Sequence, residues 1–323
     1  MHIFLGCLRH EETMFFNINK MKPQLDELVS FLKDSDVIPK TGSGLEDDYL
    51  EAMDYIEKYN QTPQPALSEK GRIAVMGLHE LYRWIWSVKD CEEFDKLIPH
   101  LKLLVEAVPK INRKTNFLSN VTGKQDDKTN KFIELIFGLF AVSAGKNVTL
   151  DDPINSSNGT NPDIIFDFND TVTSVACKTL NSNNPKTVVD NIRSAAKQIN
   201  RAQCNTGYIL LNAMNIAEHT KIEGSVHANY TQAINIITHD INETISKAKI
   251  ESKDEIEEIF KKYPKACPLI IIALHSSTRI ESPLGNIAVS LKITLVDNIL
   301  DADLIQPENY ILPDAFNNFL HNR

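Results

Sequence analysis

The chain has 323 residues, of which 42% are apolar and 24% charged, and its formal net charge is −9. That length and composition suit a folded protein of about two domains and exclude a disordered chain. The acidic total argues against a protein that coats nucleic acid over its whole surface, and no run approaches the roughly 20 apolar residues of a membrane helix.

The N-terminal run Ile3–Leu8 is short and lacks a basic leader, so it does not read as a signal peptide. Five scattered cysteines, Cys7, Cys91, Cys177, Cys204 and Cys267, contain no CxxC. They exclude a disulfide framework and a zinc finger, and a reduced cytoplasmic setting is expected. Residues 1–115 read as helical. Leu25, Leu28, Val29 and Leu32 follow helical spacing, as do Leu50, Met53 and Ile56 and then Ile98, Leu101, Leu104 and Val105. Ser68–Val88 predicts another helix with Ser68 as its N-cap. This part is expected to be a separate N-terminal helical domain, serving a structural or partner-binding role.

The pattern changes near residue 116, and a second domain is expected over 116–300. Thr129–Ala144 predicts an amphipathic helix that buries Phe132, Leu135, Ile136, Leu139 and Phe140, with Gly145 as its C-cap. Strands are expected at Val148–Leu150, Ile164–Phe168 and Thr171–Leu180, the last two joined by a turn at Asn169-Asp170. A helix over Lys186–Gln203 buries Val188, Ile192, Ala195 and Ile199. Strand Gly207–Asn212, helices at about 228–248 and 251–262, and strands Leu269–Leu274 and Ala288–Val296 follow. Residues 301–323 read as an irregular tail. The class is α/β (α+β), with a mixed sheet flanked by helices.

Charge is unevenly spread. Residues 116–215 are neutral, whereas the flanking segments carry −4 and −5. Within 185–203, Lys186, Arg193, Lys197 and Arg201 stand against Asp190 alone.

Side chains alternate faces along a strand. An acid at the start of the first hairpin strand, Asp163, therefore comes beside Lys178 on the second. A carboxylate beside a lysine at a strand end suits a hard divalent cation and an activated water. Cys177 faces the core by the same alternation. His79-Glu80 is not a metalloprotease motif. His219, His227 and His239 show no metal-ligand spacing, and His275 reads as a strand-end histidine. No Rossmann or P-loop glycine pattern is present.

Taken singly, each of these residues has an ordinary structural role; their order and spacing give them weight. Glu134 in Lys131–Leu135, the pair Pro162-Asp163, Lys178 in Ser174–Leu180 and Gln198 in Ala195–Ile199 resemble the PD-(D/E)xK nuclease superfamily. The resemblance covers roughly residues 127–215. It implies a restriction-endonuclease-like core and a Mg2+-dependent endodeoxyribonuclease, with Mn2+ as a substitute cofactor. Asp163 and Glu134 would hold the metal, Lys178 would serve the attacking water and the phosphate, and Gln198 would assist. The basic residues of 185–203 would contact DNA. The family also suggests a homodimer, a partner met through the helical domain, and a role in bacterial antiviral defence or mobile-element conflict.

One position departs from the pattern: the D/E of D/E-x-K is Ala176. Three explanations stand. The first is an inactivating change in a nuclease. The second is a carboxylate migrated to Asp167, Asp170 or Asp190. The third is a pseudo-nuclease that only binds nucleic acid or protein.

Overall fold

The computed structural model describes residues 2–4, 18–59, 61, 68–106, 131–153, 160–283, 285–300 and 305–321. A short strand, β1 (His2–Phe4), comes first. Helices α1 (Ile18–Asp34), α2 (Gly44–Tyr59), α3 (Glu69–Trp86), α4 (Ile98–Glu106) and α5 (Phe132–Ala144) follow. Then come β2 (Lys146–Leu150), β3 (Ile164–Phe168), β4 (Thr171–Thr179), α6 (Pro185–Arg201) and β5 (Thr206–Asn212). Next are α7 (Thr220–Glu223), β6 (Val226–His227), α8 (Tyr230–Glu251) and α9 (Lys253–Lys262). Strands β7 (Ala266–Ile280) and β8 (Ile287–Asn298) and helix α10 (Ile311–His321) close the described chain.

The strands form one mixed sheet in the order β1-β8-β7-β5-β4-β3-β2, with β6 paired to β7 off that path. β2, β3 and β4 make an antiparallel meander. The β3–β4 turn has positive φ at both central residues, 48° at Asn169 and 59° at Asp170. That is the geometry a tight two-residue hairpin needs, and Asn and Asp tolerate it. β4, β5 and β7 run parallel, with α6 as the crossover between the first two. Helices cover both faces of this trio, so its strands read as continuous apolar runs rather than as alternation. Ile209–Leu211 and Ile270–Ile272 are accordingly sealed from solvent.

Each face of the sheet carries its own core. Helices α1–α5 and α10 pack on one, with Val175, Cys177 and Ile271. Helices α6–α9 pack on the other, with Ala176, Ile270 and Ile272. Neighbouring residues thus alternate between the two cores, as the pleat requires.

Several sequence expectations are corrected. Helix α2 buries Leu45, Asp48, Ala52 and Tyr55 rather than the Leu50 stripe, and Leu50 is 58% exposed. Helix α5 is buried on every side from Phe132 to Val142, because the N-terminal helices cover the flank expected to be wet. Gly145 does not adopt the left-handed C-cap conformation. A Cβ there would lie 2.5 Å from Phe166 Cδ2 and 2.8 Å from Asp167 O, so glycine is needed for close approach. The tail holds a 3-10 turn, Pro307–Tyr310, and α10, whose Phe316 and Leu320 are fully buried.

The expected domain boundary near 115 lies outside the described residues. On either side of it, α1–α4 share a continuous core with α5 and the sheet. Polar ties join them as well. Arg72 Nη1 donates to Thr278 O at 3.2 Å, and Lys292 Nζ donates to both Glu80 carboxylate oxygens at 2.9 and 3.0 Å. Among the described residues no helix is long and apolar enough to cross a membrane.

Candidate active site

Ser68 caps α3 as expected, but the polar chemistry gathers elsewhere, where β3 begins and β4 runs on past it. β3 starts at Ile164 opposite Val175, so β4 from Ala176 onward has no partner on that side. The chain enters β3 through Pro162-Asp163. Asp163 N–H donates to Val175 O at 3.1 Å, and its carbonyl accepts from Asp151 N at 2.9 Å. Its carboxylate Oδ2 accepts from Cys177 N–H at 2.6 Å, taking the place of the missing strand partner. Asp163 is thereby fixed and buried.

Glu134 arrives from the first turn of α5 and is also buried. Its Oε2 lies 3.5 Å from His100 Nε2 and 3.7 Å from Lys131 Nζ. Lys178 on β4 is half-buried, and its charge acts on Asp163. The electrostatics tie the group together. Burial and then the Glu134 charge push the Asp163 carboxyl up to about 7, against the opposing pull of Lys178, the Cys177 amide and Lys131. Burial, with Asp163 and Glu134 beside it, also raises the Cys177 thiol well above its ordinary value. Cys177 is therefore no thiolate nucleophile at neutral pH, in accord with its core position.

Gln198 is buried on α6 and donates from Nε2 to Asn161 O at 2.8 Å. It thus braces the loop that delivers Asp163. Ala176 is wholly buried within the core on the α6 side. The other acids proposed from sequence are not brought in. Asp170 sits in the hairpin turn at the far end of β3, separated from Asp163 by a five-residue strand roughly 13 Å long. Asp167 is held there by Asn147 Nδ2 at 2.6 Å, and Asp190 pairs with Arg193 at 2.7 Å. Along α6, Lys186, Lys197 and Arg201 are exposed. Arg193 is committed to Asp190 and to Glu255 of α9.

Sequence reasoning missed His100 and Lys131. His100 sits in an otherwise apolar helix turn, where a histidine ordinarily reads as core, and only the fold carries α4 to α5. Lys131 stands three residues before Glu134, a spacing that could have suggested the pair. His275 lies in the middle of β7 rather than at a strand end. His239 does have partners: His239, Asp240 and Glu243 place ligand atoms within 4.8 Å of one another. That group is on the surface, and its acids already pair with Lys221 and Lys247.

Buried polar groups are normally satisfied, so orphans mark places where something is missing. Glu134 Oε2, both His100 ring nitrogens and Gln198 Oε1 are buried without a hydrogen-bond partner. Two buried carboxylates with unsatisfied oxygen and nitrogen atoms around them fit a divalent cation and its waters. No family model, characterised protein or solved structure matches this chain.

Proposed function

We propose that the chain is built as a metal-dependent nuclease of restriction-endonuclease-like architecture that acts on DNA, and that Ala176 leaves it disabled. The observation that carries this reading is the meeting of Glu134, Asp163 and Lys178. They come from a helix, a loop and a strand: Glu134 and Asp163 are buried, Lys178 is half-buried, and the charges of Glu134 and Lys178 both act on the Asp163 carboxyl. The order α5-β2-β3-β4-α6-β5, three antiparallel strands and a helical crossover to a parallel one, supports the same architecture.

Asp163 and Glu134 would hold Mg2+ or Mn2+, which when bound lowers the pKa of a water and neutralises phosphate charge. The protein's own groups do the rest. The Cys177 amide fixes the Asp163 carboxylate, and Gln198 fixes the loop behind it. Lys178 offers its ammonium to a nonbridging phosphate oxygen or to the attacking water. Lys186, Lys197 and Arg201 lie on one exposed stripe of α6 and give the phosphate backbone a salt-sensitive contact. A homodimer that cuts both strands belongs to the same proposal, as does a setting in bacterial defence.

A second reading is favoured by one observation: Ala176 fits a fully apolar core position. A chain that never carried an acid there would be a binding module for nucleic acid or protein, indifferent to Mg2+. Plasmid cleavage with Mg2+ and Mn2+ separates the two. The nuclease reading expects cleavage by Ala176→Glu, and loss of that cleavage when Lys178→Ala is added. If folded Ala176→Glu protein is inert while the parent chain binds DNA equally with and without metal, the binding-module reading replaces it.

A further inference from the structure

The nuclease reading gives Lys178 and two acids a task and leaves Lys131 without one. Lys131 stands at the N-terminus of α5, three residues before Glu134. Glu134 Oε2 has two nitrogen neighbours, His100 Nε2 at 3.5 Å and Lys131 Nζ at 3.7 Å, and it is hydrogen-bonded to neither. The two neighbours differ in freedom. The His100 side chain is 1% exposed and belongs to the core, whereas that of Lys131 is 19% exposed and ends a flexible four-carbon stem. At 3.7 Å the ammonium spends none of its three donors on Glu134. A lysine that serves only to neutralise a buried carboxylate closes on it, as Lys292 does on Glu80 at 2.9 and 3.0 Å. The Lys131 charge also acts on Asp163, against the repulsion from Glu134. Lys131 is therefore a loosely held, partly exposed charge beside the acid pair.

We infer that Lys131 and the divalent cation compete for Glu134, and that the displaced ammonium serves the phosphate that accompanies the cation. The physics has two parts. An ammonium and a divalent cation drawn to one buried carboxylate oxygen repel each other, and at short range inside a protein that repulsion is large. The side chain that yields is the one whose charged end can reach water. A phosphate neutralised by a cation on Glu134 stands next to that carboxylate, within reach of an ammonium already 3.7 Å from it. It offers Lys131 the charge-assisted hydrogen bonds that Lys131 does not make with Glu134. The inference rests on the reading of Glu134 and Asp163 as cation-binding residues. It adds a phosphate contact on the α5 side of the sheet, across from the basic stripe of α6.

The test uses the full chain carrying His239→Ala, which removes the surface cluster of metal donors on α8. Mn2+ binding is read from the electron paramagnetic resonance signal of the free ion, and binding of a short fluorescent DNA duplex from its anisotropy at fixed MnCl2. Lys131→Met is expected to tighten Mn2+ binding by about tenfold in the absence of DNA. At Mn2+ concentrations that saturate both proteins, the same variant is expected to bind the duplex about tenfold more weakly. Lys131→Arg, which keeps the charge, should move both affinities back towards those of the starting protein. A lysine that only props Glu134 would weaken both bindings when removed, so opposite signs separate exchange from support. If Lys131→Met does not fold, Lys131→Gln removes the same charge and takes its place. Both bindings weakened, either one unchanged, or no duplex binding at all would overturn the inference. Mn2+ binding that Lys131→Met leaves unchanged sinks the inference alone, whereas a starting protein that binds no Mn2+ sinks the cation reading with it. Cleavage by the Ala176→Glu protein decides the nuclease reading separately.

Discussion

Two buried carboxylates on the same face of the sheet have opposite surroundings. Glu80 of α3 accepts from Lys292 Nζ at 2.9 and 3.0 Å and from Arg83 Nη1 at 3.2 Å. Burial works against its charge, yet Lys292 and Arg83 outweigh burial and hold the carboxyl below its usual range. Glu134 of α5 receives no hydrogen bond at Oε2, has only the longer contacts to Lys131 Nζ at 3.7 Å and His100 Nε2 at 3.5 Å, and faces a second buried acid, Asp163. The first is a finished ion pair that locks α3 onto β8. The second is a pair of like charges kept together at a cost, and such frustration is characteristic of sites that await a ligand. The contrast separates architecture from chemistry within a single core.

That contrast can be broken by mutation. Lys292→Ala leaves buried Glu80 with Arg83 but without the lysine that donates to both its oxygens, and is expected to cost about 3 kcal/mol of stability in urea unfolding. Restoring most of that loss with Glu80→Gln in the same chain would show that the charge, and not lost packing, was responsible. An unchanged urea midpoint in Lys292→Ala would mean the pair is not structural.

Acid should attack the finished region as well. Burial holds His79 down at about 4, His275 at about 3 and His321 at about 4. Nearby cations act in the same direction on each. Between about pH 6.5 and these values the unfolded chain takes up protons that the folded chain refuses. Stability therefore falls as the pH drops through that window, by up to about 2 kcal/mol per histidine at pH 5. Melting curves from pH 7 to pH 5 check this, and a flat melting temperature would rule out neutral buried rings.

The smallest effect is the most telling for the candidate site. Glu134→Gln removes the like charge that helps push Asp163 up to about 7, and its expected effect on stability is neutral to slightly favourable, within about 1 kcal/mol. Glu80→Gln alone, by contrast, should destabilise, because Lys292 and Arg83 lose their partner. If both glutamines cost the same, the two carboxylates are equivalent and the contrast fails.

Much of the site was legible because it depends on local rules. Alternation along β4 and the Asn169-Asp170 turn sufficed to bring Asp163 towards Lys178, whereas Gln198, which by itself reads as a surface residue of α6, is buried by the fold. What could not be read depends on tertiary packing. The outer flank of α5 is dry only because α1–α4 lie on it, so periodicity alone made it amphipathic. Likewise the fold leaves Leu50 of α2 outside, while Ile56 of the same spacing packs against the core. Helix α10 lies in the segment expected to be an irregular tail, which contains Pro307 and Pro313. Both stand in first turns, where a missing N–H is tolerated. His100 was invisible for the same reason as the α5 flank: nothing in its own helix reveals that α4 begins beside Glu134.

The most direct test of the central claim is a crystal structure of the chain soaked in MnCl2, with the ion located by its anomalous scattering. The account predicts a peak beside Glu134 and Asp163, within ligand distance of a Glu134 carboxylate oxygen. A peak confined to His239, Asp240 and Glu243 on α8, with Glu134 and Asp163 unoccupied at saturating Mn2+, would contradict it.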